Sequence, residues 1–199
     1  RPDAVRRSVI VTMPTIGPAA DFVYYKGGQR TEEVQPARLL QVYQRHTPQT
    51  DAAIVEFWKA QGALPRQDDD FFLQRLSEVL FVVVNDQHEV VGVCSGVPTY
   101  FEQIRNHFLY LRVFVRPDWR GLNRGVASGL FYATYDLFDE LRALNGQPII
   151  GVLTVYESRH LNGVVNLYHS ARHRNQVFIG WTPRDEQIRV SYFNDVRMF

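Results

Sequence analysis

The 199-residue sequence predicts an α+β domain with a single mixed, mostly antiparallel sheet flanked by helices. Three observations lead there. The stretches follow the order strand, two or three helices, a three-strand meander, helix, strand, helix, two strands, which suits one sheet with helices packed on it. Val79–Val84 and Val90–Val97 flank the turn residues Asn85-Asp86-Gln87, a hairpin pattern. Val113-Phe114-Val115 runs through a short loop rich in Gly and Arg into a long amphipathic pattern.

Composition narrows the function classes. The net charge is +1, so bulk electrostatics give no case for nucleic acid or an anionic membrane. All but two of the 22 basic residues are arginine, the exceptions being Lys26 and Lys59, which removes lysine as a catalytic group. The lone cysteine, Cys94, excludes an internal disulfide framework and makes a reducing, cytoplasmic setting the expectation. No apolar run reaches the roughly 18 residues of a membrane span. The chain starts at Arg1 rather than Met, so a preceding targeting segment is left open.

In chain order, residues 1–21 hold Pro2, Pro14, Gly17 and Pro18 and read as an extended N-terminal arm; residues 22–199 read as one domain. Phe22–Lys26 is aromatic and β-branched, a strand ended by Gly27-Gly28. Val34, Leu39, Leu40, Val42 and Tyr43 suggest a helix with Pro36 in its first turn. Thr50-Asp51 offers a cap for a second helix carrying Ile54, Val55, Phe57 and Trp58, stopped by Gly62 and Pro65. Asp68-Asp69-Asp70 has the look of a metal cluster, but carboxylates before Phe71, Phe72 and Leu76 belong in a helix's first turn, and that reading is preferred.

Gly92-Val93-Cys94-Ser95-Gly96 matches a cysteine version of the nucleophile elbow, which requires a strand, a turn and then a helix. Val97-Pro98 opposes a helix there, so Cys94 reads as a small apolar strand residue. Thr99–His107 is a polar and aromatic connection to the strand Phe108–Val115. The next helix carries Leu122, Val126, Leu130, Ala133, Leu137 and Leu141 and is expected to stop near Leu144, before Asn145-Gly146. Pro148–Val155 is a strand, and about His160–Ala171 a helix. His169 and His173 then stand at the i, i+4 spacing of a helical metal pair, but with no third ligand in view a capping role is preferred and no metal is expected. Val177–Trp181 and Ile188–Phe193 close the chain as a hairpin.

The most informative stretch is Arg120-Gly121-Leu122-Asn123-Arg124-Gly125-Val126, after the strand Val113–Val115 and Arg116-Pro117. Glycine admits positive φ and close approach of a ligand. Backbone N–H groups at a helix start favour an anion, and arginine adds forked, charged donors.

This pattern resembles motif A of the GCN5-related N-acetyltransferases, the GNAT superfamily, in which Arg/Gln-x-x-Gly-x-Gly/Ala follows a strand ending Val-x-Pro. Asn123 stands where the family has its middle glycine. The resemblance implies an acyl-CoA N-acyltransferase fold over about residues 22–193, with the pyrophosphate of coenzyme A gripped by Arg120, Gly121, Leu122, Asn123, Arg124, Gly125 and Val126. It implies that the cofactor's thioester lies against the splayed strand near Val113 and Val115, whose backbone N–H groups stabilise the oxyanion. Leu153-Thr154-Val155 with Asn162 and Leu167-Tyr168 is similar to motif B, where the Asn contacts the pantetheine and the Tyr faces the thiol.

The expected activity is transfer of an acyl group, read as acetyl from acetyl-CoA, to an amine of a small molecule or peptide. Tyr168 would protonate the departing thiolate. Many relatives place a base on the strand before the loop, but Leu109–Phe114 offers no carboxylate, which leaves Glu157, Glu102 and His107 as candidates, Glu157 first. The other readings are a catalytically inactive CoA-binding domain, a protein-interaction domain on the same fold, and a hydrolase built on Cys94. Exposed strand edges would admit a homodimer.

Overall fold

The computed structural model describes residues 20–24, 35–66, 68–121, 125–157, 169–170 and 174–196. Among these, β1 (Ala20–Tyr24) and β2 (Gln35–Gln41) lead to α1 (Pro48–Gln61) and α2 (Asp69–Leu76). A meander of β3 (Val79–Asn85), β4 (Val90–Phe101) and β5 (Asn106–Val115) follows, and then α3 (Val126–Leu141). A small hairpin, β6 (Ala143–Leu144) and β7 (Gln147–Pro148), precedes β8 (Gly151–Tyr156), β9 (His169–Ser170), β10 (Gln176–Trp181) and β11 (Gln187–Tyr192). The main sheet has the order β1-β2-β3-β4-β5-β8-β11-β10-β9 among the described residues. Its pairings are antiparallel except β5 with β8, so the expected mixed, mostly antiparallel sheet is what the chain forms.

The alternation of side chains sorts the sheet into two faces. Ala37, Leu39, Val83, Cys94, Leu109, Leu111 and Val115 point to α3 and pack with Val126, Leu130 and Phe138. Val82, Val84, Val93 and Phe114 point the other way, against Ile54, Phe57 and Trp58 of α1 and Phe72 and Leu76 of α2. Leu130, Phe138, Ile54 and Phe72 are at most 1% exposed; each such side chain contributes about 1.5–3 kcal/mol. Gly151 lets β8 and β11 close up, since a Cβ there would lie 2.4 Å from the Ser191 carbonyl oxygen. Among the described residues, no helix is long and apolar enough to cross a membrane.

Several elements differ from the sequence expectation. Residues 35–41 form a strand rather than a helix, paired with β1 on one side and β3 on the other. Ala37 and Leu39 are buried while Arg38 is exposed, a period of two, and the ladder offered by β3 outweighs local helix propensity. Helix α1 begins at Pro48, because Thr47 is the cap and accepts from the Thr50 N–H at 3.2 Å. Asp68 accepts from the Phe71 N–H at 3.0 Å as the cap of α2, with Asp69 and Asp70 in its first turn, as the sequence suggested.

Strand β4 continues to Phe101, taking up Pro98 and Thr99, which were expected in a loop. Its pairing with β3 has already ended at Ser95, so Pro98 removes no ladder bond on that side. Helix α3 stops at Leu141, where Arg142 adopts φ 56°. Asn145-Gly146, with φ 51° and 79°, is instead the two-residue turn between β6 and β7. Strand β8 starts at Gly151, three residues after the expected Pro148. His169 and Ser170 are paired with Val177 and Gln176, so they are not helical. The helical i, i+4 argument for a His169–His173 metal pair therefore has no helix at His169. His173, the rest of the expected helix at 160–168 and 171, and the arm at 1–19 lie outside the described residues.

Candidate functional site

Strand β5 pairs with β8 over only three positions, Leu109 with Val152, Tyr110 with Leu153 and Leu111 with Thr154. Beyond them β5 keeps its partner β4 through Val115, and β8 keeps its partner β11 through Tyr156. The sheet therefore splits beyond the Leu111–Thr154 pair. Backbone direction within β5 follows from two bonds. The His107 carbonyl accepts from Ile150 N–H on the β8 side at 3.0 Å, and Arg116 N–H donates to Val91 on the β4 side at 2.9 Å. With unbroken register between, the amides of Leu109, Leu111, Val113 and Val115 face β8. Val113 and Val115 lie past the last pair, so their backbone groups line the split.

The start of α3 sits at the same level. Gly92, the register partner of Val115, lies under Val126 and Leu130. The loop reaches the helix through Gly121 at φ 123° and Gly125 at φ 65°, conformations that disfavour a Cβ. Gly125 is the N-cap and has no side chain to bond the first amides, and the first turn carries no acidic residue. Those amides and the positive end of a 16-residue helix are thus turned to an anion approaching the split. Val126 is itself in the core, so what it offers is its N–H. Arg120 donates Nε to the Val115 carbonyl at 2.7 Å and stacks over Phe114 at 5.2 Å. Leu122, Asn123 and Arg124 lie outside the described residues, as do Asn162 and Tyr168.

Glu157 follows β8 and is exposed, on the far strand of the split. Its charge, with that of Glu186, helps to raise the Tyr110 phenol above its ordinary pKa, after the larger effect of burial; Arg112 and Arg184 oppose it. Tyr110 and Arg112 are site residues that sequence reasoning missed, because only the position of the split gives them meaning. Glu102 and His107 are at the opposite end of β5, in and after the β4–β5 turn, away from the split. Cys94 is fully buried on the α3 face, 3.4 Å from Thr134 Oγ1, and burial pushes its thiol up to about 12. A thiolate nucleophile is not available there. Among the described residues no three His, Cys, Asp or Glu side chains are grouped to hold a metal.

Solved structures similar to this chain share its fold. A GNAT family N-acetyltransferase from Escherichia coli, in complex with CoA, superposes with a TM-score of 0.53 at 16% identity, over 84% of this chain and 87% of that one. The fold is that of the GNAT N-acetyltransferases. A GNAT family acetyltransferase from Listeria monocytogenes gives a TM-score of 0.50 at 15% identity, covering 78% of this chain and 95% of its own. No protein-family model matches the sequence, and no curated protein is significantly similar to it. The likeness to the GNAT N-acetyltransferases is thus one of fold, and the expected α+β class agrees with it.

Proposed function

We propose that this GNAT-fold chain is an acyl-CoA-dependent N-acyltransferase, with acetyl-CoA as donor and an amine of a small molecule or peptide as acceptor. The observation that carries the reading is the split between β5 and β8 with the uncapped start of α3 at its level. The donor set suits CoA: helix N–H groups and a glycine loop for a pyrophosphate, and an unpaired strand edge for an amide-bearing arm. Arg120, Gly121, Leu122, Asn123, Arg124, Gly125 and Val126 would hold the pyrophosphate, and Val113, Val115 and Asn162 the pantetheine. Acetyl-CoA supplies an acyl group activated as a thioester.

The chain's residues then position and move protons. The Val113 N–H, directed into the split, orients the acyl carbonyl. Glu157 takes the proton from the acceptor amine, since only a neutral amine attacks. Tyr168 gives a proton to the departing sulfur. Holding the two partners together contributes most of the acceleration. A cytoplasmic enzyme, soluble in a reducing setting, fits the lone buried thiol.

A specific observation favours one alternative, a CoA-binding domain without turnover: β5 carries no carboxylate, and Arg112 stands beside the split instead. Two measurements test the proposal. CoA and acetyl-CoA should raise the thermal midpoint by several degrees, since a ligand at 100 times its Kd adds about 2.7 kcal/mol, and Gly125→Glu should abolish that rise. Release of CoA thiol across an amine panel separates the enzyme from the silent binder. A midpoint unmoved by millimolar CoA would refute both.

A further inference from the structure

The α1–α2 face of the split carries an unbalanced charge. Glu78, at the start of β3, has a side chain only 16% exposed and receives two guanidinium groups, Arg75 Nη1 and Arg112 Nη2, the latter at 2.8 Å. The other partner of Arg75 is neutral, Ser95 Oγ at 3.1 Å. Arg75 is buried, and burial first, then the nearby Arg112 charge, lowers its pKa, against the pull of Glu78. Among the described residues two cations therefore share this carboxylate by direct contact, Arg75 buried and Arg112 partly exposed, and an anion bound to Arg112 would lower the cost of holding them together.

Arg112 is the member that can reach one. It is the first β5 residue past the last pair with β8. Its side chain shares a face with Tyr110 and Phe114, opposite α3, and remains 35% exposed. It lies over the Tyr110 ring at 5.3 Å, which limits its swing. Its Nε is buried with no hydrogen-bond partner among the described residues. Across the split, on β8's side of the same face, stands Glu157. A donor anchored at the start of α3 enters from the α3 face, so the acceptor meets its acyl group from the face that holds Arg112, Tyr110 and Glu157.

We infer that the acceptor is an amine that also carries a carboxylate, an amino acid, whose carboxylate is bound by Arg112 while its amino group faces Glu157. This rests on the acyltransferase reading and adds the substrate class to it. Arginine matches a carboxylate with two parallel N–H groups, and the bound anion would supply the charge that Glu78 alone does not balance.

The test uses matched pairs, an amino acid and the amine left after its decarboxylation, such as phenylalanine with phenethylamine and ornithine with putrescine. Thiol release from acetyl-CoA is followed for all twenty common amino acids and their amines. The amino acid of the active pair should exceed its amine in kcat/KM by about tenfold or more. In Arg112→Gln that ratio should fall to about one, through KM rather than kcat, with the CoA-induced midpoint rise unchanged. Arg112→Lys, which keeps the ion pair with Glu78 if the glutamine variant does not fold, should retain part of the preference. Amines preferred over amino acids by the unaltered protein, or a ratio indifferent to Arg112→Gln, would overturn the inference while leaving an acyltransferase. No turnover on any pair, with CoA bound, would overturn both.

Discussion

A Cβ built on Gly92 would lie 2.9 Å from Val126 Cγ1, so the first turn of α3 rests directly on the backbone of β4. Leu130 Cδ1 is next at 3.3 Å. Valine is stiff at χ1 and cannot swing clear, so a larger residue at Gly92 must lift the start of the helix. Gly92→Val is expected to cost about 1–3 kcal/mol and to weaken CoA binding by more than the loss of stability explains. Chemical denaturation and CoA titration of the folded fraction would check this. A destabilised variant with native CoA affinity would separate the helix start from the anion site.

Arg120 links the loop to the strand it leaves, through the 2.7 Å bond to the Val115 carbonyl. Arg120→Ala removes that bond and the stacking on Phe114, and leaves the Val115 carbonyl projecting into the split. We expect CoA affinity to fall by about tenfold or more, the worth of a charged hydrogen bond of 1.5–3 kcal/mol. Arg120→Lys should recover little, because the Nε geometry is lost. Isothermal titration with CoA decides it, and an unchanged Kd for the alanine variant would limit Arg120 to a surface role.

Glu157→Gln tests the proton acceptor. The side chain is exposed, so the thermal midpoint and its rise with CoA should stay as they are. Turnover should drop by about 100-fold, within the range for loss of a general base. Equal turnover in steady-state assays would move the role to another group or to solvent.

Alkaline pH should expose Cys94. Its thiol has an ordinary value of 9.0 and is pushed up to about 12 in the fold by burial. Between those values the unfolded chain has lost a proton that the folded chain keeps. Stability from this group is complete below pH 9 and is lost as pH rises toward 12, by about 1.4 kcal/mol per pH unit. Buried Tyr135 and the partly buried Tyr110, Tyr156 and Tyr192, all raised first by loss of solvent, act in the same sense at somewhat higher pH. Cys94→Ala should therefore show a shallower decline than the parent from pH 9 upward. Urea titrations at stepped pH measure the difference, and the native thiol should resist alkylation at pH 8.

What could be read from the sequence follows from how local the signal is. Asn85-Asp86-Gln87 and the β10–β11 hairpin were legible because strand pattern and turn adjoin. The helix start after the Arg120–Gly125 loop was legible because glycines and an amphipathic run adjoin in the chain, and Gly125 is indeed the N-cap of α3. The strand at residues 35–41 was not, since its helix-like spacing is overruled by β3, a partner more than 40 residues away in the chain. Asn145-Gly146 suits both a helix stop and a hairpin turn, and only the pairing of Leu144 with Gln147 selects between them. Arg112 looked unremarkable because Glu78 is 34 positions away and the split that exposes it belongs to the sheet as a whole.

The short β5–β8 pairing has a consequence for the order in which the molecule holds together. The strands before α3 form a meander of neighbours in sequence, and β8, β11 and β10, in that order, form a second antiparallel group. Three register pairs and the crossover helix join the two. The seam is where local opening is least resisted, so amide hydrogens of Leu111 and Thr154 should exchange sooner than those of Val82 or Val93. A ligand lodged there touches both halves and acts as a removable rivet. Its grip would be reported by slower exchange far from the point of contact, in whichever half is the less stable alone.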